Sequence, residues 1–136
     1  MVAAPARAEH RLGHVCENCG NIEGIIGNLK DDLAFAEDGD GNLLDGRIID
    51  SLERKLDDVK GALSKLAAAK YCDAAKKLDQ FRNRICDMKQ PNNKGVSKID
   101  ETDAGDFIDC ASVAINCICI LAENECYECP EFFSCP

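Results

Sequence analysis

The chain has no tryptophan and only two histidines, and aromatics make up 5% of its 136 residues. Flat aromatic platforms for sugar rings are therefore scarce. Basic residues are also in deficit, with 16 Lys and Arg against 25 Asp and Glu and a net charge of −9. Phosphates are repelled by such a chain, which argues against nucleic acid and anionic membranes as partners and leaves cations and basic partners. No uninterrupted apolar run approaches the roughly 20 residues of a membrane-spanning helix. The longest tract, 111–122, is short and contains Asn116. The sequence holds no Gly-x-Ser-x-Gly, no phosphate loop, no His-Glu-x-x-His and no c-type haem motif. No cysteine has a histidine in a recognised nucleophile arrangement. These absences argue against an enzyme.

Cysteine is what the chain has in excess. Ten cysteines is an even number at a density unusual for a reduced compartment. Near the start, Ala6-Arg7-Ala8 fits the small-x-small pattern that precedes a signal-peptidase cut. Residues 1–15 thus read as the remnant of an export signal or as an Ala-rich tail, with one domain from 16 to 136. His10 and His14 in that tail read as exposed residues.

Helical periodicity dominates the domain. Ile22, Ile25, Ile26, Leu29, Leu33 and Ala36 predict a first helix over 21–36, weakened by Gly24 and Gly27. A glycine-rich acidic turn, 37–46, precedes a second helix. Its stripe runs through Ile48, Ile49, Leu52, Leu56, Val59, Leu63 and Leu66. A third helix spans about 72–88, with Ala75, Leu78, Phe81, Ile85 and Met88 on one face. The loop 90–98 leads to Asp100, an N-cap with Glu101 and Asp103 behind it. The fourth helix carries Ala104, Phe107, Ile108, Ala111, Ala114, Ile115, Ile118 and Leu121. The expected fold is all-α, an up-down-up-down four-helix bundle with cysteine-rich N- and C-terminal tails cross-linked at one pole.

Three motifs follow one another in a familiar order: Lys55-Leu56-Asp57, then Ala74-Ala75-Lys76-Lys77-Leu78-Asp79-Gln80-Phe81, then Gly95-Val96-Ser97-Lys98-Ile99-Asp100. Over about residues 46–118 the chain resembles the FIMAH helical accessory domain of secreted bacterial enzymes and surface proteins. The resemblance implies an extracellular, non-catalytic module. The chain departs from the family in its turn at 67–71, poor in glycine, and in its many cysteines.

The cysteines admit two chemistries. Cys16-x-x-Cys19 and Cys126-x-x-Cys129 are spaced like zinc knuckles, and a bundle brings them to one pole. Zinc, or less readily copper, would then be held by Cys16, Cys19, Cys126 and Cys129. The favoured reading is disulfides involving Cys16, Cys19, Cys72, Cys86, Cys110, Cys117, Cys119, Cys126, Cys129 and Cys135. By helical rise, Cys72 lies level with Cys117 or Cys119, and Cys86 and Cys110 differ by about 9 Å. The terminal pairs are expected to tie the two tails to each other.

Two weaker sites complete the sequence reading. Asp38, Asp40 and Asn42 resemble the front of a calcium loop, but Leu43 replaces its glycine and Ile49 its bidentate glutamate. Tyr127, Phe132 and Phe133 form either an interaction patch or a cover over the bundle's end. The expected function is a secreted or cell-surface, non-catalytic structural or adhesion subunit. It contacts other proteins, among them copies of itself, and needs no cofactor. Metal binding and carbohydrate binding are the alternatives. On this reading the denatured intact mass of the natural protein lies ten hydrogens below the fully reduced mass, one per cysteine. A full set of thiol hydrogens, with zinc held only under native conditions, would favour the metal site.

Overall fold

Side-chain caps mark the starts of three of the helices, those preceded by Asn21, Asp45 and Asp100. The computed structural model describes Cys16, residues 19–123, Glu125, Cys126, Cys129 and residues 133–135. After a 3-10 turn at Cys19–Asn21, helix α1 spans Ile22–Asp32. The Asn21 side chain accepts from the Gly24 N–H at 3.0 Å. Ile22, Ile25, Ile26 and Leu29 are buried, so α1 turns the expected face inward despite its glycines. Helix α2 spans Gly46–Leu56, with Asp45 accepting from the Arg47 N–H at 2.8 Å.

The long second helix expected from the sequence is broken. The chain leaves α2 at Asp57 and re-enters helix only at α3, Ala62–Ala67. One carboxylate oxygen of Asp57 accepts from the backbone N–H groups of Val59, Lys60 and Gly61, at 3.1, 3.0 and 2.9 Å. An aspartate that binds its own downstream backbone competes with helix continuation. Gly61 makes the fold-back sterically feasible. A Cβ there would come within 2.7 Å of Leu56 backbone atoms and would also collide with the Asp57 nitrogen. Val59, expected on the apolar stripe, is therefore 71% exposed. The fold has five α-helices instead of four among the described residues.

α3 ends in a Schellman closure: Lys70 donates to the Lys65 carbonyl at 2.8 Å and Ala69 to that of Leu66 at 3.0 Å. The left-handed position is Ala69, φ 57°, where glycine is usual. Helices α4 (Tyr71–Lys89) and α5 (Glu101–Leu121) form the centre of the molecule. They lie antiparallel. Lys98 donates to the Met88 carbonyl at one end, and Cys72 and Cys119 both reach the C-terminal segment at the other. Between them Phe81 and Phe107 meet edge to face at 5.9 Å, amid buried Leu78, Ile85, Ala111, Ile115 and Ile118. Asp100 caps α5 as its sequence position implies, accepting from Thr102 and Asp103 N–H.

The end of the bundle where α5 starts is closed by hydrogen bonds. The Glu37 N–H donates to the carboxylate of Asp103, a fully buried residue, at 2.9 Å. The Asp100 N–H donates to the Glu37 carbonyl at 2.7 Å, and Gly39 to that of Ser97 at 3.0 Å. The segment after α1 is thereby pinned to the N-terminus of α5, where negative charge is favoured.

Taken as a whole helix, α5 is long and apolar enough to cross a membrane, although Asp106 and Asp109 interrupt its apolar residues. Within the fold its stripe faces α1 and α4, and 44% of its most apolar window is buried.

Asp57 offers a direct test of the helix break. Burial works against its charge, but the N–H groups of Lys60, Gly61 and Val59, with the Lys30 ammonium, hold its carboxyl below the usual value. A depressed native value stabilises the fold at a pH above the unfolded value of about 4, and that stabilisation is lost as pH falls through the native value. Asp57→Ala is expected to cost about 1–2 kcal/mol at neutral pH, as for loss of a helix cap. Asp57→Asn, which keeps the acceptor oxygen, should match wild type below the native value and fall behind it as pH rises from there to about 4. Urea unfolding across that range measures both. A gap that stayed constant with pH would contradict the assigned role of the charge.

Candidate functional site at the stapled pole

All ten cysteines are paired, and every bridge has one cysteine on α4 or α5 and the other on a terminal segment. Cys16 joins Cys110, and Cys19 joins Cys117, with Cα separations of 5.2 and 5.3 Å. Cys72 joins Cys126, Cys86 joins Cys135 and Cys119 joins Cys129, at 5.1, 5.4 and 5.7 Å. The expectation that all ten are disulfide cysteines agrees with these pairs; the expected partners do not. The two chain ends are tied to the central helices and not to each other. Cys72 pairs with neither Cys117 nor Cys119, and Cys86 does not pair with Cys110.

Helix geometry explains the pairing. Cys110 and Cys117 are two turns apart on one face of α5, about 10.5 Å by helical rise. Three residues of chain, from Cys16 to Cys19, reach at most about 10–11 Å. The N-terminal Cys-x-x-Cys therefore matches that face. Cys119 lies two residues beyond Cys117, about 200° around the helix, and so meets the opposite strap. The C-terminal segment bonds α4 near its start through Cys72 and near its end through Cys86. The 14 residues between them span about 21 Å, within reach of the nine residues from Cys126 to Cys135. The level match between Cys72 and Cys119 is present, but the segment bearing Cys126 and Cys129 spans it.

Arg82 anchors the same segment without covalent bonds. It is 7% exposed. Its Nε and Nη2 donate to Asp79 Oδ1 at 3.2 and 3.0 Å, and Nη1 donates to Ser112 Oγ at 2.9 Å. The Phe133 ring lies 3.8 Å from the guanidinium carbon, a cation–π contact. One side chain thus links α4, α5 and the C-terminal segment. The sequence reading did not find this cluster; the spacing of Asp79 and Arg82, three apart on one helix face, was its only signal. Of the aromatic trio, Phe133 is half-buried against Arg82, while Tyr127 and Phe132 lie outside the described residues, as do residues 1–15.

The four zinc-knuckle cysteines are not joined as one set. Each is bonded to a cysteine outside that set, Cys16 to Cys110, Cys19 to Cys117, Cys126 to Cys72 and Cys129 to Cys119. Among the described residues no group of three or more His, Cys, Asp or Glu is arranged to hold a metal ion. In the acidic turn, the Asp38 carboxylate accepts from the backbone N–H groups of Asp40 and Asn42, at 2.9 and 3.0 Å. It closes its own loop.

Three shallow depressions adjoin one another where α5 ends. One of about 530 Å³ lies among Ala69, Lys70, Tyr71, Leu121, Glu123 and Glu125. A second, of about 420 Å³, shares Tyr71 and Leu121 with it and adds Ile22 and Leu66. The third, about 540 Å³, runs along Cys72, Lys76, Asp79 and Cys126. The bridges Cys19–Cys117, Cys72–Cys126 and Cys119–Cys129 surround this pole.

No family model, no curated protein and no solved structure matches the chain.

Cys86→Ser/Cys135→Ser should free the far end of the C-terminal strap and lower stability by about 2–4 kcal/mol, the usual worth of one bridge. The helix content should persist, because the other four bridges stay. Denaturant unfolding followed by circular dichroism tests this, and an unchanged midpoint would contradict the bridge's role.

Proposed function

We propose that the protein is a secreted, non-catalytic structural or adhesion subunit that contacts other proteins. One observation carries this reading: a stapled surface with open depressions and solvent-exposed apolar side chains. Ile120 and Leu121 on the last turn of α5 are 69% and 49% exposed. Rigid, partly apolar surfaces of this kind suit recognition, because little ordering is needed on binding.

The sulfur chemistry supports the compartment of this reading. Five disulfide pairs fit an oxidising environment, and export to the medium or the cell surface is the simplest route to one. The FIMAH-like stretch points the same way. It covers α2 to α5, and the resemblance implies a non-catalytic extracellular module. Asp57 of its Lys-Leu-Asp motif is here the residue that ends α2.

Fractionation of the natural host under thiol-trapping conditions tests the compartment. The protein is expected in the medium or at the surface, with no thiol available to alkylation. A reduced intracellular pool would sink the reading. Sedimentation velocity of the purified oxidised chain, combined with cross-linking on intact cells, tests the contact role. A monomer that forms no adduct with any protein would count against it.

A further inference from the structure

The pole where α5 ends carries an electrostatic imbalance that the described residues do not relieve. α5 is 21 residues long and has no basic residue in its last turn. The aligned peptide dipoles place roughly half a negative charge at such a terminus, though Ala122 and Glu123 N–H groups donate to the Ile118 and Ile120 carbonyls there. Two exposed carboxylates follow it at once, Glu123 and Glu125. Among the described residues no cation pairs with either. The other carboxylates at this pole are placed differently. Glu23 and Asp73 stand in the first turns of α1 and α4, where helix dipoles favour negative charge. Glu123 and Glu125 have the opposite placement; among the described residues Lys70 is the one cation lining the depression they share, and Lys76 lines the adjoining one with Glu125.

Beside these charges the surface is apolar. Leu121 and Tyr71 form the saddle between the depressions of about 530 and 420 Å³. The bridges Cys19–Cys117 and Cys72–Cys126 hold both sides of that saddle still.

We propose that this pole is the docking surface for a basic amphipathic segment of a partner protein. An apolar side chain of the partner sits on the saddle at Tyr71 and Leu121, and its Lys or Arg side chains meet Glu123 and Glu125. The proposal rests on the binding-subunit reading above and names its partner's chemistry. A second copy is the poorer occupant. A symmetric dimer through this face would oppose Glu123 and Glu125 to themselves, on chains that each carry a net charge of −9.

The probe is a synthetic amphipathic Leu/Lys helix, titrated calorimetrically into the oxidised full chain, with a Leu/Glu helix as its counterpart. The Leu/Lys helix should bind, less tightly as salt rises, and the Leu/Glu helix should not. Leu121→Ser and the double variant Glu123→Lys/Glu125→Lys should each weaken binding by about tenfold or more, as expected at a central contact. Leu43→Ser, in the loop between α1 and α2, should leave binding unchanged. No binding, or equal binding by wild type and both pole variants, would overturn the proposal. A photo-cross-linker at position 121 or 43 in the natural host separates this failure from that of the parent reading. Adducts from position 121 with a basic protein support the pole. Adducts from position 43 alone, or a dimer adduct from 121, overturn the pole and leave the contact role standing. Adducts from neither position overturn both.

Discussion

Five sulfur–sulfur bonds between the chain's ends and its two central helices set the conditions for everything else in this protein. Each bridge uses one cysteine of α4 or α5, and the C-terminal strap, bonded to Cys72 and Cys86 of α4 and Cys119 of α5, needs those helices in one register. The register is made by non-covalent contacts: the Phe81–Phe107 edge contact, the Arg82–Ser112 hydrogen bond and the alanines that let α5 pack closely. Covalent and packing terms thus select the same arrangement, as a funnelled landscape requires. A typical bridge contributes about 2–4 kcal/mol, while a whole domain is stable by about 5–15 kcal/mol. The bridges are therefore a dominant share of the stability of a chain this small.

The two ends of the bundle are built differently. Where α5 begins, closure relies on backbone hydrogen bonds and the buried Asp103 carboxylate, with the Cys86–Cys135 bridge near the end of α4. Where α5 ends, closure is covalent. The covalent end carries exposed leucine and isoleucine, left-handed non-glycine residues at Ala69 and Glu123, and two carboxylates on the wrong side of a helix dipole. Ala69 ends α3, but the exposed apolar side chains and the two carboxylates add no buried contact. Disulfides let a surface tolerate such features, because local cohesion no longer has to come from its own side chains.

Much of the helical frame was legible. The stripes of α1, α4 and α5 place Ile26, Leu29, Phe81, Ile85, Phe107 and Ile118 in the core, where periodicity put them. The Asp100 cap was legible because a capping side chain acts on the next three residues. The break after Leu56 was not. Val59, Leu63 and Leu66 continue the helical period, and only the Asp57 carboxylate and the missing Cβ of Gly61 turn the chain aside. The Arg82 cluster was equally hidden, since Ser112 and Phe133 lie far away in sequence.

Sequence alone therefore determined the class of fold, the redox chemistry and most helix starts. These depend on interactions that repeat every few residues or on composition, and both are written locally. Tertiary structure decided which cysteine meets which, and so where the chain ends lie. An even set of cysteines carries no partner information. Partners are chosen by which sulfurs α4 and α5 bring within bonding distance of the two straps, and that depends on the face and height of each residue on packed helices.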